Sequence, residues 1–511
     1  MFIVVFKLTD RLNQKYKVQF VKSEWEKTII YQSSFTVIET ILQSLASISS
    51  MCNYARHNSN ELVPIKPKIV LVGTHKDQAT KKHIAGVQRV LKETLKDTEY
   101  YRDGIIVFES PENPALTVNN LSTDNEDTFF IRKFIARLAC DPAFKVSIPA
   151  PWLALQLSLR TLDNPVISYE QCARIANDCG IHNDEELKEA LWFLHTKMGV
   201  IRYFHQIPEL QDIVICDPQI IFSKINELII HTFTFERTQD AYISETFREK
   251  GIFPADIFDK ISQPSNKLFT NFKLISLLKH MNVIAPIYDI HNKVTHYFMA
   301  CVLAHAEKTH ESDQQRVQRP PLIRTLYNLF GTSTSESTSS SYTTTLCISF
   351  RCGYCPKGIF SALVVDLMKP KNTTLQWRLV QDEVYRDQIS FEVGREHHVV
   401  KIEFLITHLA VSVMSSTEVG RRQQCDATKA KELCNTIRLE IERSLTVVSK
   451  TLHYGSGAGA IFGFYCPKCP DSINSIPAIC DEEEPIVMRC KKCGPVDLDD
   501  RNLFWFGEKT V

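Results

Sequence analysis

Two stretches carry residues whose types and spacing can do chemistry. The first is Cys466-Pro-Lys-Cys469 with Cys490-Lys-Lys-Cys493, two CxxC pairs with 20 residues between Cys469 and Cys490. Two thiolates so spaced chelate one ion from a tight turn, and Gly494 eases the second turn. Four thiolates complete a tetrahedral Zn²⁺ shell with no open position, which makes a structural site and not a catalytic one. So small a module has little core, so metal binding would supply its folding free energy. Two disulfides or free thiols are the bland alternative, and Cys480 between the pairs reads as a spectator. The second stretch is KPKIVLVGTHKDQ (66–78), a strand-like run entering a turn that holds Thr74, His75, Lys76 and Asp77. It has the look of a guanine-reading loop. An aspartate carboxylate accepts two hydrogen bonds from the N1 and N2 edge of guanine, which selects it over adenine; a plain turn histidine is the alternative for His75.

The phosphate half of such a site has no counterpart. No GxxxxGK[ST] loop occurs in the 511 residues, and the only glycine cluster, GSGAGAIFG (455–463), lacks both the Lys and the Ser/Thr that contact phosphate and magnesium. That cluster reads as a flexible link. No HExxH, GxSxG or kinase signature is present. The pair in CGYC (352–355) has no second pair nearby and reads as a turn before Pro356-Lys357-Gly358. His195, beside Leu194 on an apolar helical face, reads as a core histidine, and the REHH run (395–398) as an exposed strand start.

Composition narrows the classes further. Lys plus Arg and Asp plus Glu both number 59, so nothing in the net charge favours nucleic acid or an anionic membrane as the main partner. Basic runs such as GRRQQ and TKKH are too short to change that. At 44% apolar the chain can build packed cores, and its length predicts about three domains. Most of its 16 cysteines stand singly in apolar runs, as in DIVICDP and FMACVL, which favours a reducing, cytoplasmic compartment. The start MFIVVFKLTD is too short in apolar length for a signal peptide, and no apolar run reaches 18 residues, so no membrane span is expected.

The elements that must position these residues follow from periodicity. FIVVF (2–6), KIVLVG (68–73) and ALTVNN (115–120) read as parallel strands, separated by helical patterns in SFTVIETILQSLASI and KHIAGVQRVLKETL. Beyond Pro149 the texture changes. Leu187, Leu191, Leu194 and Met198 fall on one helical face before Gly199, and VIRYF and DIVIC follow as a strand pair around Pro208. The order recurs: LFTNFKLISLLKHM reads as a helix ended by Asn282, then VIAPIYDI and VTHYFMACVL as a hairpin around His291-Asn292-Lys293. Helix then hairpin, twice, is a winged-helix-like arrangement. Acidic character in its recognition-like helix (Glu185, Glu186, Glu189) argues against DNA. After the Ser/Thr-rich stretch 331–345, LCISF, IFSALVVDLM, TLQWRLV, QISFEV, HVVKIEFLI and HLAVSVM read as an antiparallel meander. Leu433, Ile437, Ile441, Leu445, Val448 and Leu452 then mark an amphipathic helix.

Together these landmarks resemble the Roc-COR family, in which a Ras-like GTPase domain (Roc) precedes a dedicated partner domain (COR). The blocks that carry the resemblance are WLALQLSLR, ISYEQCARIANDCGI, ALWFLHTKMGVIRYF, DIVICDPQIIFSKINELI, LISLLKHMNVIAP, YFMACVL, RCGYCPKGIFSALVVDLM and QISFEVG, in order over nearly all of residues 150–415. The resemblance implies a COR domain that packs on the GTPase domain and supplies dimer contacts. On the Roc side it covers only the second half of a GTPase domain. Thr74-His75-Lys76-Asp77 fits the family's THxD-like motif, with Thr74 and His75 shaping the purine slot and Asp77 reading its edge. Asn119, in Val118-Asn119-Asn120, stands where the family's last base-flanking loop lies. The phosphate loop and both switch regions would precede Met1.

The expected fold is therefore α/β, a partial Ras-like parallel sheet (1–146), followed by an α+β COR domain. The latter comprises a winged-helix-like part (147–310) and an antiparallel sheet part (311–418, with the loop 331–345). An amphipathic helix (426–454) and a zinc-ribbon-like module (460–511) complete it. The expected function is a COR-dimerising signalling scaffold that engages protein effectors, with vestigial base-binding residues Thr74, His75, Asp77 and Asn119 and no catalytic ones. The alternative is a piece of a GTP-hydrolysing switch protein whose phosphate loop lies upstream, binding GTP or GDP with Mg²⁺ only when that half is present. Along β-strand FIVVF the first reading leaves an open, apolar edge that another strand would cover.

Overall fold

The computed structural model describes residues 2–20, 29–50, 53–56, 62–65, 67–108, 110, 112–119, 121, 126–140, 148–234, 246–247, 249–260, 268–289, 291–303, 345–350, 353–370, 375–394, 398–405, 407–414, 427–452, 459–465, 488–490, 494–496 and 505. The stretch 331–344 and Cys466, Cys469 and Cys493 lie outside them. The chain forms two compact units: one holds Met1–Asp141 and His305–Val511, the other Pro142–Ala304.

In the first unit the three predicted strands form, as β1 (Phe2–Lys7), and then, after hairpin β2 (Lys15–Phe20)–β3 (Ile29–Thr36), helix α1 (Val37–Ser50) and hairpin β4 (Asn53–Arg56)–β5 (Leu62–Ile65), as β6 (Ile69–Thr74). Helix α2 (Lys81–Leu95), the short α3 (Glu99–Arg102), β7 (Ala115–Thr117) and α4 (Glu126–Ala139) follow. The sheet order is β1-β6-β7, all parallel, with Phe2 opposite Ile69 and Gly73 opposite Thr117. Side chains alternating along the strands feed two cores. Val4, Phe6, Ile69, Leu71 and Ala115 pack under α1 and α2, while Val70, Val72, Leu116 and Val118 meet Phe134 of α4. The strand β1 lies at the end of the order, and its outer-face residues Ile3 and Val5 are 46% and 60% exposed. The apolar edge expected from the sequence is thus present among the described residues.

Local chemistry fixes the helix starts. Thr36 and Glu39 form a reciprocal capping box on α1, the Thr36 N–H donating to Glu39 Oε2 at 2.7 Å and the Glu39 N–H to Thr36 Oγ1 at 3.4 Å. Thr80 caps α2 by accepting from the His83 N–H.

The second unit has two cores. Helices α5 (Ala150–Arg160), α6 (Tyr169–Asp178) and α7 (Asp184–Phe193) close over Leu155, Ile167, Leu191 and Leu194, with β8 (Val166–Ser168) paired to β9 (Ile213–Ile215). The first expected hairpin is corrected here. VIRYF is not a strand: Arg202 makes a single bridge to Ile215, and the partner of β9 is β8. The second motif stands as read. Helices α8 (Gln219–Thr234), α9 (Ile257–Lys260) and α10 (Asn271–His280) flank a sheet of β10 (Ile252–Pro254), β11 (Ala285–Tyr288) and β12 (Val294–Phe298), in the order β10-β12-β11. Asn282 and Asn292 take the left-handed conformation at the helix end and hairpin turn, as their positions in the sequence suggest.

The rest of the first unit is a six-stranded antiparallel sheet in the order β14-β15-β16-β17-β13-β18. Its strands are β13 (Leu346–Phe350), β14 (Trp377–Val384), β15 (Gln388–Val393), β16 (His398–Phe404), β17 (His408–Met414) and β18 (Ala460–Gly463). Two expectations are overturned. IFSALVVDLM is a helix, α11 (Ile359–Met368), buried on almost every side and packed on α12 (Ala427–Thr451). An all-apolar run of that length carries no period to separate strand from helix. The end of the presumed link GSGAGAIFG pairs with β13 as β18. Gly353, with φ of 76°, makes the CGYC turn, which docks on α1: the Lys357 N–H donates to Ser47 Oγ at 2.7 Å and its ammonium to Ser44 Oγ at 2.9 Å. A final hairpin pairs β19 (Met488–Cys490) with β20 (Gly494–Val496).

Two glycines of the first unit respond in opposite directions to a methyl group. At Gly73 an added Cβ would lie 2.5 Å from Leu8 Cδ2, and Leu8 is fully buried. At Gly86, within α2, it would meet nothing within 4 Å. Gly73→Ala is expected to destabilise the unit by about 1–3 kcal/mol through overpacking. Gly86→Ala should stabilise it by up to about 1 kcal/mol through helix propensity. Urea midpoints of the two variants moving the same way would contradict this packing.

Candidate functional site

The carboxyl ends of β6 and β7 lie side by side, and the loops leaving them hold all four residues expected to meet a purine. Open parallel sheets place ligands at this edge. Thr74 ends β6 with its hydroxyl 3.2 Å from the Phe6 carbonyl and 2.9 Å from His75 Nδ1. The hydroxyl has one proton. With that proton given to Phe6, His75 must donate from Nδ1. His75 itself sits at φ 60°, ψ 39°, a left-handed residue that turns the chain into the short 3₁₀ helix Lys76–Gln78. Asp77 lies in that helix and is exposed. Its carboxylate faces solvent, as an edge-reading acceptor must.

The neighbouring loop is bonded to the first. The Lys76 N–H donates to the Val118 carbonyl at 3.2 Å, which sets Asn119 beside the turn. Asn119 Oδ1 accepts from the Leu121 N–H at 3.0 Å, shaping its own loop. Sequence reasoning missed the residue that joins the two loops. Asp127, in the first turn of α4, forms an ion pair with Lys76 through Oδ1 and accepts the Asn119 N–H at Oδ2, 3.3 Å away. A helix N-terminus favours a carboxylate there. With side-chain exposures of 40% for Lys76 and 24% for Asp127, the pair adds at most about 1 kcal/mol. Its effect is positional. The sequence shows only an acid at a helix start, a common feature with no hint of a partner 51 residues away. Gln88, also unforeseen, holds β7 in place: its buried amide donates to the Ala115 carbonyl at 2.7 Å and accepts the Ala115 N–H at 3.1 Å.

Of the predicted zinc ligands, Cys490 alone is described, at the end of β19 and opposite Gly494 in register. The segment is anchored at both sides. Tyr465, next to Cys466, hydrogen-bonds through its hydroxyl to His408 Nε2 at 2.7 Å, and His408 Nδ1 lies 2.8 Å from Thr407 Oγ1. Trp505 is buried and its carbonyl accepts from Arg438 Nε at 2.7 Å. Burial pushes the His408 ring down to about 4 and the adjacent Cys347 thiol up to about 12. Elsewhere, His195 is a core histidine as expected, its Nδ1 accepting the Tyr203 N–H at 3.1 Å. Cys355 of the CGYC turn is buried.

Residues 149–303 match the family model of the COR-A domain, described as C-terminal of Roc, and these residues fill the second compact unit. Residues 149–303 are a COR-A domain. Among solved structures, the chain is similar to Methanosarcina barkeri Roco2 RocCORdC bound to GDP, at 12% identity and a TM-score of 0.30, over 58% of this chain and 93% of that one. No curated protein matches it.

The His408–Tyr465 contact predicts a pH response. The folded state holds His408 neutral down to about pH 4, whereas the unfolded chain takes up the proton near the ordinary 6.5. Its contribution is complete above that value and fades as pH falls toward 4, by at most about 1.4 kcal/mol per unit. A His408→Gln variant should be less stable at neutral pH and lose this part of the acid sensitivity. Parallel urea-midpoint curves for both proteins between those pH values would refute the assignment.

Proposed function

We propose that this chain is a Roc-COR signalling scaffold that dimerises through its COR part, engages protein effectors and does not hydrolyse GTP as it stands. The observation that carries this reading is the base-edge loop pair without a phosphate loop anywhere in the 511 residues. Asp77 can supply one charge-assisted contact, worth about 1.5–3 kcal/mol. Even millimolar binding needs about 4 kcal/mol. Hydrolysis also requires Mg²⁺ and phosphate clamping, for which the chain offers no motif. Thr74, His75, Asp77 and Asn119 are on this reading a vestigial base site.

A cytoplasmic location accords with this reading. Cys172 and Cys347 are buried free thiols, a state suited to a reducing compartment. Among the described residues no helix is long and apolar enough to cross a membrane. A second reading draws on the open edge of β1, where Ile3 and Val5 stand exposed. A strand added there, in a longer polypeptide carrying a phosphate loop upstream, would make a GTP- and Mg²⁺-binding switch.

Calorimetry of the 511-residue chain with GDP or GTP and Mg²⁺ should show no micromolar binding, and light scattering should show a dimer at micromolar concentration. Turnover of GTP by this chain, or a monomer under those conditions, would remove the proposal. A longer transcript encoding GxxxxGK[ST] and binding GDP would select the second reading.

Zinc is the proposed structural ion, held by Cys466, Cys469, Cys490 and Cys493. The expectation is one Zn²⁺ per chain by mass spectrometry, lost in a Cys490→Ser, Cys493→Ser double variant. Zinc-free native protein with unchanged melting on adding chelator would rule the site out.

A further inference from the structure

Between the turn that joins β1 to β2 and helix α2 runs an open groove of about 570 Å³. Its floor is apolar: Leu12 and Val87 are buried and Val90 is half-buried. Gly86 also lines it, and an added methyl there would meet nothing within 4 Å. Three cations stand on the rim, Arg11 from the turn and Lys82 and Arg89 from the helix, all exposed. No acidic residue lines the groove, and none of the three forms an ion pair among the described residues. Within the wall, His83 Nε2 is buried with no hydrogen-bond partner among those residues.

The walls are held in place before any ligand arrives. The Ile38 N–H donates to the Leu12 carbonyl at 2.9 Å and the Val37 N–H to the Gln14 carbonyl at 3.1 Å, tying the turn to the start of α1. On the other side Val87, Leu91 and Leu95 seat α2 in the core that also holds Leu12. In a chain of zero net charge, three uncompensated cations around one concavity concentrate a positive field there.

We propose that this groove binds an extended acidic peptide segment of a partner protein, with an apolar side chain on the floor over Gly86 and carboxylates at Arg11, Lys82 and Arg89. Arg forks suit carboxylates, and an alternation of buried and exposed side chains is what an extended peptide presents. Other anions fit less well. An inorganic phosphate would leave most of the volume unfilled. A planar anionic membrane would meet the rim and leave the floor empty. Single-stranded nucleic acid wants aromatic platforms, and none lines the groove. The inference does not depend on dimerisation or on the fate of the nucleotide loops.

The test is fluorescence anisotropy of the full chain with a labelled acidic peptide in which one leucine is flanked by glutamates. Micromolar binding is expected, weakening about tenfold from low to physiological salt. Arg11→Glu and Arg89→Glu should each weaken it about tenfold or more. Gly86→Leu should abolish it with no loss of melting temperature, since the added side chain fills open space on a helix. The proposal fails if the peptide does not bind at low salt, or binds all three variants as it binds the parent chain. It fails equally if inorganic phosphate competes at concentrations similar to the peptide's, or if only phosphatidylserine vesicles are retained through these residues.

Discussion

Strand β6 is bonded on both edges and buried on both faces, and the geometry of the loop site descends from that constraint. Ile69, Val70 and Leu71 are fully buried, so the strand cannot shift its register without moving two cores. Where it ends, Leu8 and Phe6 come so close that only a glycine fits at Gly73. Thr74 is tied to the neighbouring strand, and His75 turns left-handed because the chain must leave the sheet there. The exposed Asp77 is thus aimed by residues that never touch a ligand. The Lys76–Asp127 pair then locks the second loop against the first.

How much of this could be read in advance depends on whether the cause was local. The three parallel strands were legible because each is an apolar run bounded by turn residues. The asparagines at 282 and 292 were legible because short polar side chains tolerate positive φ. IFSALVVDLM was misread because a segment buried all round has lost the periodicity that tells helix from strand. VIRYF was misread because its presumed partner, DIVIC, found a better one in Val166–Ser168. The Thr74–Asp77 turn was visible as a motif; Asp127 and Gln88, which set the shape around it, were not, since their partners are distant in sequence. The zinc ligands are an inference from the spacing of the two CxxC pairs, three of whose four cysteines lie outside the described residues.

The COR-A match and the loop geometry bear on function from different directions. The first places residues 149–303 in a domain defined by its position after Roc. The second presents an exposed polar turn at the carboxyl edge of a parallel sheet, in a sequence without a GxxxxGK[ST] motif. The turn has a structural part of its own. Thr74, Lys76 and Asn119 are integral to how the sheet's carboxyl edge closes.

Lys357 reaches back 310 residues to Ser47. The contact joins two stretches of a single unit that are separated in the chain by the whole of Pro142–Ala304. During translation, the surface of α1 that receives the CGYC turn is made long before its cover. The intervening unit can complete its own cores first. Ribosome-bound chains stalled near residue 304 would therefore carry one finished body and one with an unsealed flank, the species on which a chaperone has most to act.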